Sequence, residues 1–169
     1  MRGVEMEFYD NKFLPVNSFA SAAAFVSLAV VAFALAFAVV PLMQWQLHFF
    51  QAAVFTASFV FGPFAGAAVG ALASSWSGLT VLHNPYVLAG NAILGFAAAY
   101  FYTRMHPLKA AMAAYAVQLP WLAATDIFLV GMPGMVVAGI ALTLLAENLL
   151  CGAIAMSVAP RLKALLGAA

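Results

Sequence analysis

The feature that most constrains this chain is a long stretch without formal charge. No Asp, Glu, Lys or Arg occurs between Phe13 and Thr103. The 169-residue chain is 67% hydrophobic and 7% charged, and its mean hydropathy is +1.07. Soluble domains are only about half apolar, so a soluble fold of this size could not bury so much apolar surface. A bilayer accepts an apolar exterior if each helix satisfies its own backbone hydrogen bonds. We therefore expect one all-α membrane domain.

Turn-forming residues divide the chain into six predicted transmembrane helices. At about 20 residues per crossing, the uncharged stretch can hold four helices. Three turn segments separate these four: Pro41 to Gln46, Gly62-Pro63 and His83-Asn84-Pro85. The predicted spans are 19–40, 47–61, 64–79, 86–103, 110–130 and 135–158. Residues 1–18 then form a cytoplasmic N-terminal segment, residues 19–158 the six-helix transmembrane domain, and residues 159–169 a cytoplasmic C-terminal tail.

The basic residues predict the orientation of this bundle. Lys and Arg collect in short cytoplasmic loops of membrane proteins. Here they occupy the N-terminus, the fourth loop and the C-terminus: Arg2, Lys12, Arg104, Lys109, Arg161 and Lys163. Six spans place all three segments on one side, whereas an odd number of helices before the fourth loop would split them. Both termini are therefore expected in the cytoplasm. Six scattered basic residues and a net charge of +1 do not indicate nucleic-acid binding.

Small residues recur along the third predicted helix. Gly62, Gly66, Gly70, Ser74 and Gly78 are spaced every four residues. Such a ridge lets a neighbouring backbone approach closely, and we expect this helix to be central. The first helix also carries small residues four apart, including Ala20 and Ala24. On spacing alone, packing within the chain explains the pattern of the first helix better than a contact with a partner does.

These features together resemble the substrate-binding S components of energy-coupling factor (ECF) vitamin transporters. The resemblance rests on chain length, the six-span plan with both ends inside, the segment Phe61 to Gly70 (FGPFAGAAVG) and the alanine-rich first helix. It implies a subunit in the cytoplasmic (inner) membrane of a prokaryote that captures a small vitamin-like molecule from outside. It also implies a transmembrane coupling subunit and two ATP-binding-cassette ATPases as partners, with Ala20 and Ala24 meeting the coupling subunit.

Candidate substrate-binding residues fall mostly in the predicted outer half. The resemblance implies that such groups come from the first outer loop and from helices four to six. The candidates are Trp45, His48, Trp76, Asn84, Asn91, Trp121, Asp126, Glu147 and Asn148. An interfacial aromatic belt explains Trp45 and Trp76 about as well as ligand binding does. Stacking on the tryptophans would suit an aromatic nitrogen heterocycle.

Asp126 and Glu147 are the two ionisable residues within predicted spans, where such groups are costly and indicate function. Neither has a basic neighbour in sequence, so a ligand that is positively charged or rich in hydrogen-bond donors would fit. The alternative is a proton-coupled small-molecule carrier or an intramembrane enzyme that uses these two carboxyl groups. A structural membrane partner without a ligand is a third interpretation.

Motif searches favour a binding subunit over an enzyme. The chain has no Gly-xxxx-Gly-Lys-Ser/Thr loop, so partner ATPases would have to drive transport. It also lacks a Gly-x-Ser-x-Gly nucleophile and a His-Glu-x-x-His zinc motif. His48 and His83 lie on the predicted outer side without spaced partners, and Cys151 is the single cysteine. We therefore predict no catalytic residues, no metal site and no cofactor.

Overall fold

The computed structural model describes residues 12–42 and 45–167, without the side chains of Leu42 and Trp45. It confirms the predicted six-helix bundle. The elements are α1 (Phe19–Leu35), β1 (Val39–Leu42), β2 (Trp45–His48), α2 (Phe50–Phe61), α3 (Pro63–Trp76), α4 (Tyr86–Tyr102), α5 (Pro107–Ala124) and α6 (Gly134–Gly167). Short π-helical turns, Ser77–Val81 and Thr125–Leu129, extend α3 and α5. We call the end of the bundle with β1 and β2 the hairpin end and the opposite end the terminal end.

Within residues 12–42 and 45–167, three helices, counted with their π-helical turns, are long and apolar enough to cross a membrane: Pro63–Val81, Pro107–Leu129 and Gly134–Gly167. The other three are apolar but shorter, with 17 residues in α1, 12 in α2 and 17 in α4. At about 1.5 Å per residue, α2 is the shortest of the six described α-helices. The sixth helix continues to Gly167 and therefore includes most of the segment that we assigned to the C-terminal tail.

A β-hairpin replaces the loop that the sequence predicts between the first two helices. The first helix ends at Leu35 rather than Val40, and β1 pairs with β2 in an antiparallel register that sets Val39 opposite His48. Val39 and Val40 are β-branched, which suits a strand better than a helix end. The second helix accordingly begins at Phe50, whereas the sequence predicts its start three residues earlier, at Leu47.

The central helix is α2 rather than α3. All of its residues except Phe61 are buried, and they contribute to both apolar clusters of the core. One cluster joins α2 to α1 and α3, and the other joins it to α4, α5 and α6. In contrast, α3 exposes Phe64 and Leu72. The short helix therefore lies inside the bundle, and longer helices surround it.

The small-residue ridge of α3 packs against α4. A Cβ atom added at Gly66 would lie 2.6 Å from the carbonyl oxygen of Gly95, and one added at Gly70 would clash with the carbonyl oxygen of Asn91. Ser58 of α2 closes this contact, because its hydroxyl donates a 2.9 Å hydrogen bond to the Gly95 oxygen. The two backbones thus touch without side chains between them, as the sequence predicted for this ridge.

The terminal end holds the described basic side chains. Lys163 donates a 2.7 Å hydrogen bond to the carbonyl oxygen of Lys12, and Arg104 stacks on the ring of Tyr100 at 4.1 Å. Just beyond Lys12, the amide of Leu14 donates to the carbonyl oxygen of Val60 at the end of α2. The segment from Lys12 to Leu14 is therefore attached to the same end of the bundle as the end of α6.

We expect Gly66→Ala to destabilise the fold by about 1–3 kcal/mol, because the added methyl group overpacks a backbone contact. Thermal unfolding of the purified protein in detergent measures the effect. The matched control is Gly134→Ala, where an added Cβ meets nothing within 4 Å. Equal melting temperatures for the two variants would contradict a tight α3–α4 contact.

Candidate ligand-binding cavity

A cavity of about 330 Å³ lies at the hairpin end, between α2, α4, α5, α6 and β2. Pockets for small organic ligands begin at about this size. Its walls combine apolar and polar side chains from helices, π-helical turns, loops and β2. The lining residues are Gln46, His48, Phe50, Gln51, Ser77, Leu82, Asn84, Tyr86, Val87, Asn91, Gln118, Trp121, Leu122, Thr125, Asp126, Met132, Ile140, Thr143, Leu144 and Glu147.

Glu147 joins three elements at one wall of this cavity. Its Oε1 accepts a 2.7 Å hydrogen bond from the backbone amide of His48, and its Oε2 accepts a 3.1 Å bond from Nε2 of Gln51. The side chain is 1% exposed. A buried carboxyl group is tolerated when donors of this kind surround it. The carboxylate of α6 thus holds both β2 and the first turn of α2 in place.

Asp126 forms a second polar connection, between the α3–α4 loop and the end of α5. Its Oδ1 accepts a 2.7 Å hydrogen bond from Nδ2 of Asn84, and both residues are buried. The other side-chain atom of Asn84, Oδ1, accepts the backbone amide of Tyr86 at 3.1 Å. These two bonds use both ends of the amide and fix its orientation. The backbone amide of Asn84 also holds the loop, because it donates a 2.7 Å hydrogen bond to the carbonyl oxygen of Gly78.

The π-helical turns bring polar residues to the cavity. Pro120 lies inside α5 and cannot donate a backbone hydrogen bond. The helix widens five residues later, where the amide of Val130 bonds the carbonyl oxygen of Thr125. Both Thr125 and Asp126 in this turn are buried. Wider turns of this type occur frequently at functional sites, and a second one, Ser77–Val81, precedes the loop that holds Asn84.

Trp121 forms part of the wall next to α4. Its indole nitrogen donates a 3.0 Å hydrogen bond to the carbonyl oxygen of Tyr86. A Cβ atom added at Gly90 would lie 3.2 Å from the Trp121 ring, so glycine at this position gives the indole its space. The ring is 37% exposed and presents an aromatic surface beside the cavity.

Two glutamine residues of the cavity keep a side-chain oxygen without a partner. Gln51 is 1% exposed and Gln118 is 3% exposed, and neither Oε1 atom accepts a hydrogen bond in the structure. Gln51 donates through Nε2 to Glu147, and this bond sets the orientation of its side-chain amide. The Oε1 atom of Gln51 is therefore not turned toward Glu147. Buried polar atoms are usually satisfied, and an exception needs an explanation. A bound ligand would supply one.

Six of the nine predicted binding residues meet at this cavity. They come from β2, the α3–α4 loop and helices α4 to α6: His48, Asn84, Asn91, Trp121, Asp126 and Glu147. Trp45 lies in β2 by its backbone, but its side chain is outside the described part of the chain. Among the described residues, no group of three or more His, Cys, Asp or Glu side chains is placed to hold a metal ion.

Two predicted residues lie away from the cavity. Trp76 is 47% exposed and packs against Phe37, with 5.8 Å between the ring centroids. Asn148 is fully buried, but its Nδ2 donates to the carbonyl oxygen of Leu144 and its side chain does not line the cavity. Neighbouring residues differ by about 100° around a helix, so Asn148 does not share the direction of Glu147.

Sequence reasoning missed several polar residues of the cavity, chiefly Gln51, Gln118, Thr125 and Thr143. A signal for two of them was available, because Gln118, Trp121 and Thr125 follow the spacing of one helix face. Gln51 falls within the predicted second helix, 47–61, but only the structure shows that it is buried in the first turn of α2.

Comparison with known proteins gives a match in structure only. No family model matches the sequence, and no curated protein matches it either. A solved structure described as the S component of a bacterial ECF transporter superposes on this chain with a TM-score of 0.65. The alignment covers 86% of this chain and 96% of that chain at 20% sequence identity.

This chain has the fold of an ECF S component. At this level of identity, the similarity defines the architecture and leaves the side chains of the cavity to be judged on their own geometry. The S-component fold accounts for the six helices, which the sequence predicted, and the cavity lies at its hairpin end.

We expect Glu147→Ala to release the hairpin, because the His48 amide loses its acceptor. A hydrogen bond to a charged group contributes about 1.5–3 kcal/mol, so amide exchange at His48 should accelerate by at least about tenfold. Hydrogen–deuterium exchange of peptides covering β2 measures this, and core amides of α2 should keep their protection. Ser157→Ala, at an exposed α6 position, is the control. Unchanged exchange at His48 would show that Glu147 does not hold the hairpin.

Proposed function

We propose that this chain is the substrate-binding S component of an ECF-type ABC importer in the cytoplasmic membrane of a prokaryote. It captures a small vitamin-like molecule, such as an aromatic nitrogen heterocycle, from the outer side. The observation that carries this proposal is the cavity at the hairpin end of an S-component fold, lined by two buried carboxyl groups and an indole ring. Such a combination of apolar walls with a few placed polar groups is typical of small-molecule sites.

The distribution of charge supports an outward-facing cavity. The described Lys and Arg side chains belong to the segment before α1, the α4–α5 loop, the first turn of α5 and the end of α6, all at the terminal end. By the positive-inside rule this end lies in the cytoplasm. The hairpin end, with the cavity, then faces the outside.

Cysteine labelling tests this orientation. We expect Pro133→Cys, at an exposed position of the α5–α6 loop, to react with a membrane-impermeant maleimide on intact cells. Lys109→Cys, exposed at the start of α5, should react only after permeabilisation. Both variants are made with Cys151→Ala, which removes the buried native thiol. The opposite labelling pattern would place the cavity in the cytoplasm and contradict the proposal.

The energy for transport comes from partners in this proposal. The chain has no phosphate-binding loop for ATP, so a transmembrane coupling subunit and two ATP-binding-cassette ATPases complete the importer. We propose that α1 meets the coupling subunit through a surface that includes Ala20 and Ala24. Both residues are half-buried, and they lie beside an exposed face of α1 with Ala23 and Ser27. Small side chains on such a face allow close helix contact within a membrane.

Co-purification tests both the function and this surface. Tagged protein, coexpressed with its genomic neighbours, should retain a coupling subunit and ATPases. Ala20→Leu and Ala24→Leu should reduce the retained amount by about tenfold, which corresponds to about 1.4 kcal/mol of lost binding. Ala153→Leu, at an exposed position of α6, is the matched control. Recovery of the chain alone, with ligand uptake by liposomes that contain it alone, would instead indicate an independent carrier.

A further inference from the structure

Several side-chain donors around the cavity are already used within the protein. Gln51 and Asn84 donate to Glu147 and Asp126, and Trp121 donates to the carbonyl oxygen of Tyr86. Asn91, Thr125 and Thr143 likewise donate to backbone carbonyl oxygens one turn earlier in their own helices. Six lining residues thus each have one side-chain donor engaged within the protein.

Acceptors are left over at the same walls. Oε1 of Gln51 and Oε1 of Gln118 are buried without partners. The two carboxyl groups add further capacity, because each ionised carboxylate can accept about four hydrogen bonds, whereas Glu147 accepts two and Asp126 one from the protein side chains and amides described. A ligand with acceptors on its surface would leave these oxygens unpaired, which is unfavourable. A ligand with N–H donors would satisfy them.

The charge of the lining points in the same direction. Asp126 and Glu147 line the cavity, and neither Lys nor Arg is among its described lining residues. An anionic ligand would face two acidic groups without a basic counterpart. A cation next to these groups is favoured, since opposite charges attract strongly in a site of low dielectric constant.

We propose that the ligand is an organic cation with several N–H donors, such as an amidinium, a guanidinium or a protonated amine, attached to an apolar or aromatic body. The Glu147–Gln51 pair and Asp126 receive its donors. Trp121 and the aliphatic side chains of the lining contact its body. This inference rests on the proposed function and names the substrate class of the same cavity.

Matched probes of equal size test the sign of the ligand charge. One set is benzamidine, benzamide and benzoate, and the other is 3-(aminomethyl)pyridine, 3-(hydroxymethyl)pyridine and nicotinate. Binding to the full chain in lipid nanodiscs is measured by the rise in melting temperature and by titration calorimetry. We expect the cationic member of each set to stabilise the protein most. Equal or greater stabilisation by a neutral or anionic member, or none by either cation, would overturn the proposal.

Variants then locate the recognition. Asp126→Asn and Glu147→Gln should each weaken binding of the preferred cation by at least about tenfold, as expected for a hydrogen bond to a charged group. Gln118→Met keeps the side-chain length and removes only the amide group. It should also weaken binding of the cation. Lys109→Gln, an exposed charge change at the terminal end, is the control. If one of the two carboxyl variants does not fold, the affinities of the other carboxyl variant and of Gln118→Met test the assignment. Unchanged affinity in every folded variant would overturn the assignment.

The outcome is independent of the proposed transport role. An S component that binds an anion would still retain its coupling subunit and ATPases, and only the ligand class would then be wrong. Loss of the partners together with tight cation binding would contradict the importer and leave the ligand class intact.

Discussion

The direct contact between the backbones of α3 and α4 sets the geometry on which the rest of this bundle depends. Lipid gives helices no hydrophobic reason to associate, so close packing has to hold them together. Gly66 and Gly95 bring the two backbones into contact. The Ser58 hydroxyl of α2 donates a hydrogen bond to the carbonyl oxygen of Gly95 at this contact. This arrangement surrounds α2 with longer helices. Because α2 begins only at Phe50, space remains at the hairpin end for a cavity.

Two buried carboxyl groups organise the walls of that cavity. Glu147 connects α6 to β2 and α2, while Asp126 connects the end of α5 to the α3–α4 loop. Each carboxyl group accepts donors that would otherwise be unpaired, so a structural role alone would justify it. The unpartnered side-chain oxygens of Gln51 and Gln118 at the same walls are not explained by the fold. In the proposed binding subunit, the stability of the fold and the recognition of a ligand would thus depend on the same two residues.

Much of the site could be predicted because intramembrane polarity is rare in this sequence. Asp126 and Glu147 were recognisable from the cost of ionisable groups within a span, and the tryptophans and asparagines from their predicted depth. Trp76 and Asn148 show the limit of that reasoning, because depth does not determine the direction of a side chain around its helix. Trp76 packs on Phe37 instead of the cavity. Gln118 was missed because it carries no charge and lies near the middle of the predicted span 110–130, and only the structure shows that it is buried beside the cavity.

The sequence by itself determined the fold class, the number of helices and the small-residue ridge of α3. These follow from hydropathy, turn residues and spacing along one chain, all of which are local properties. Only the tertiary structure decided that α2 is the central helix, that the first loop is a β-hairpin, and that Gln51 and Glu147 form a pair. Residues 51 and 147 come together because helices distant in sequence pack side by side. That packing depends on the shapes of all six helices together, and no single segment specifies it.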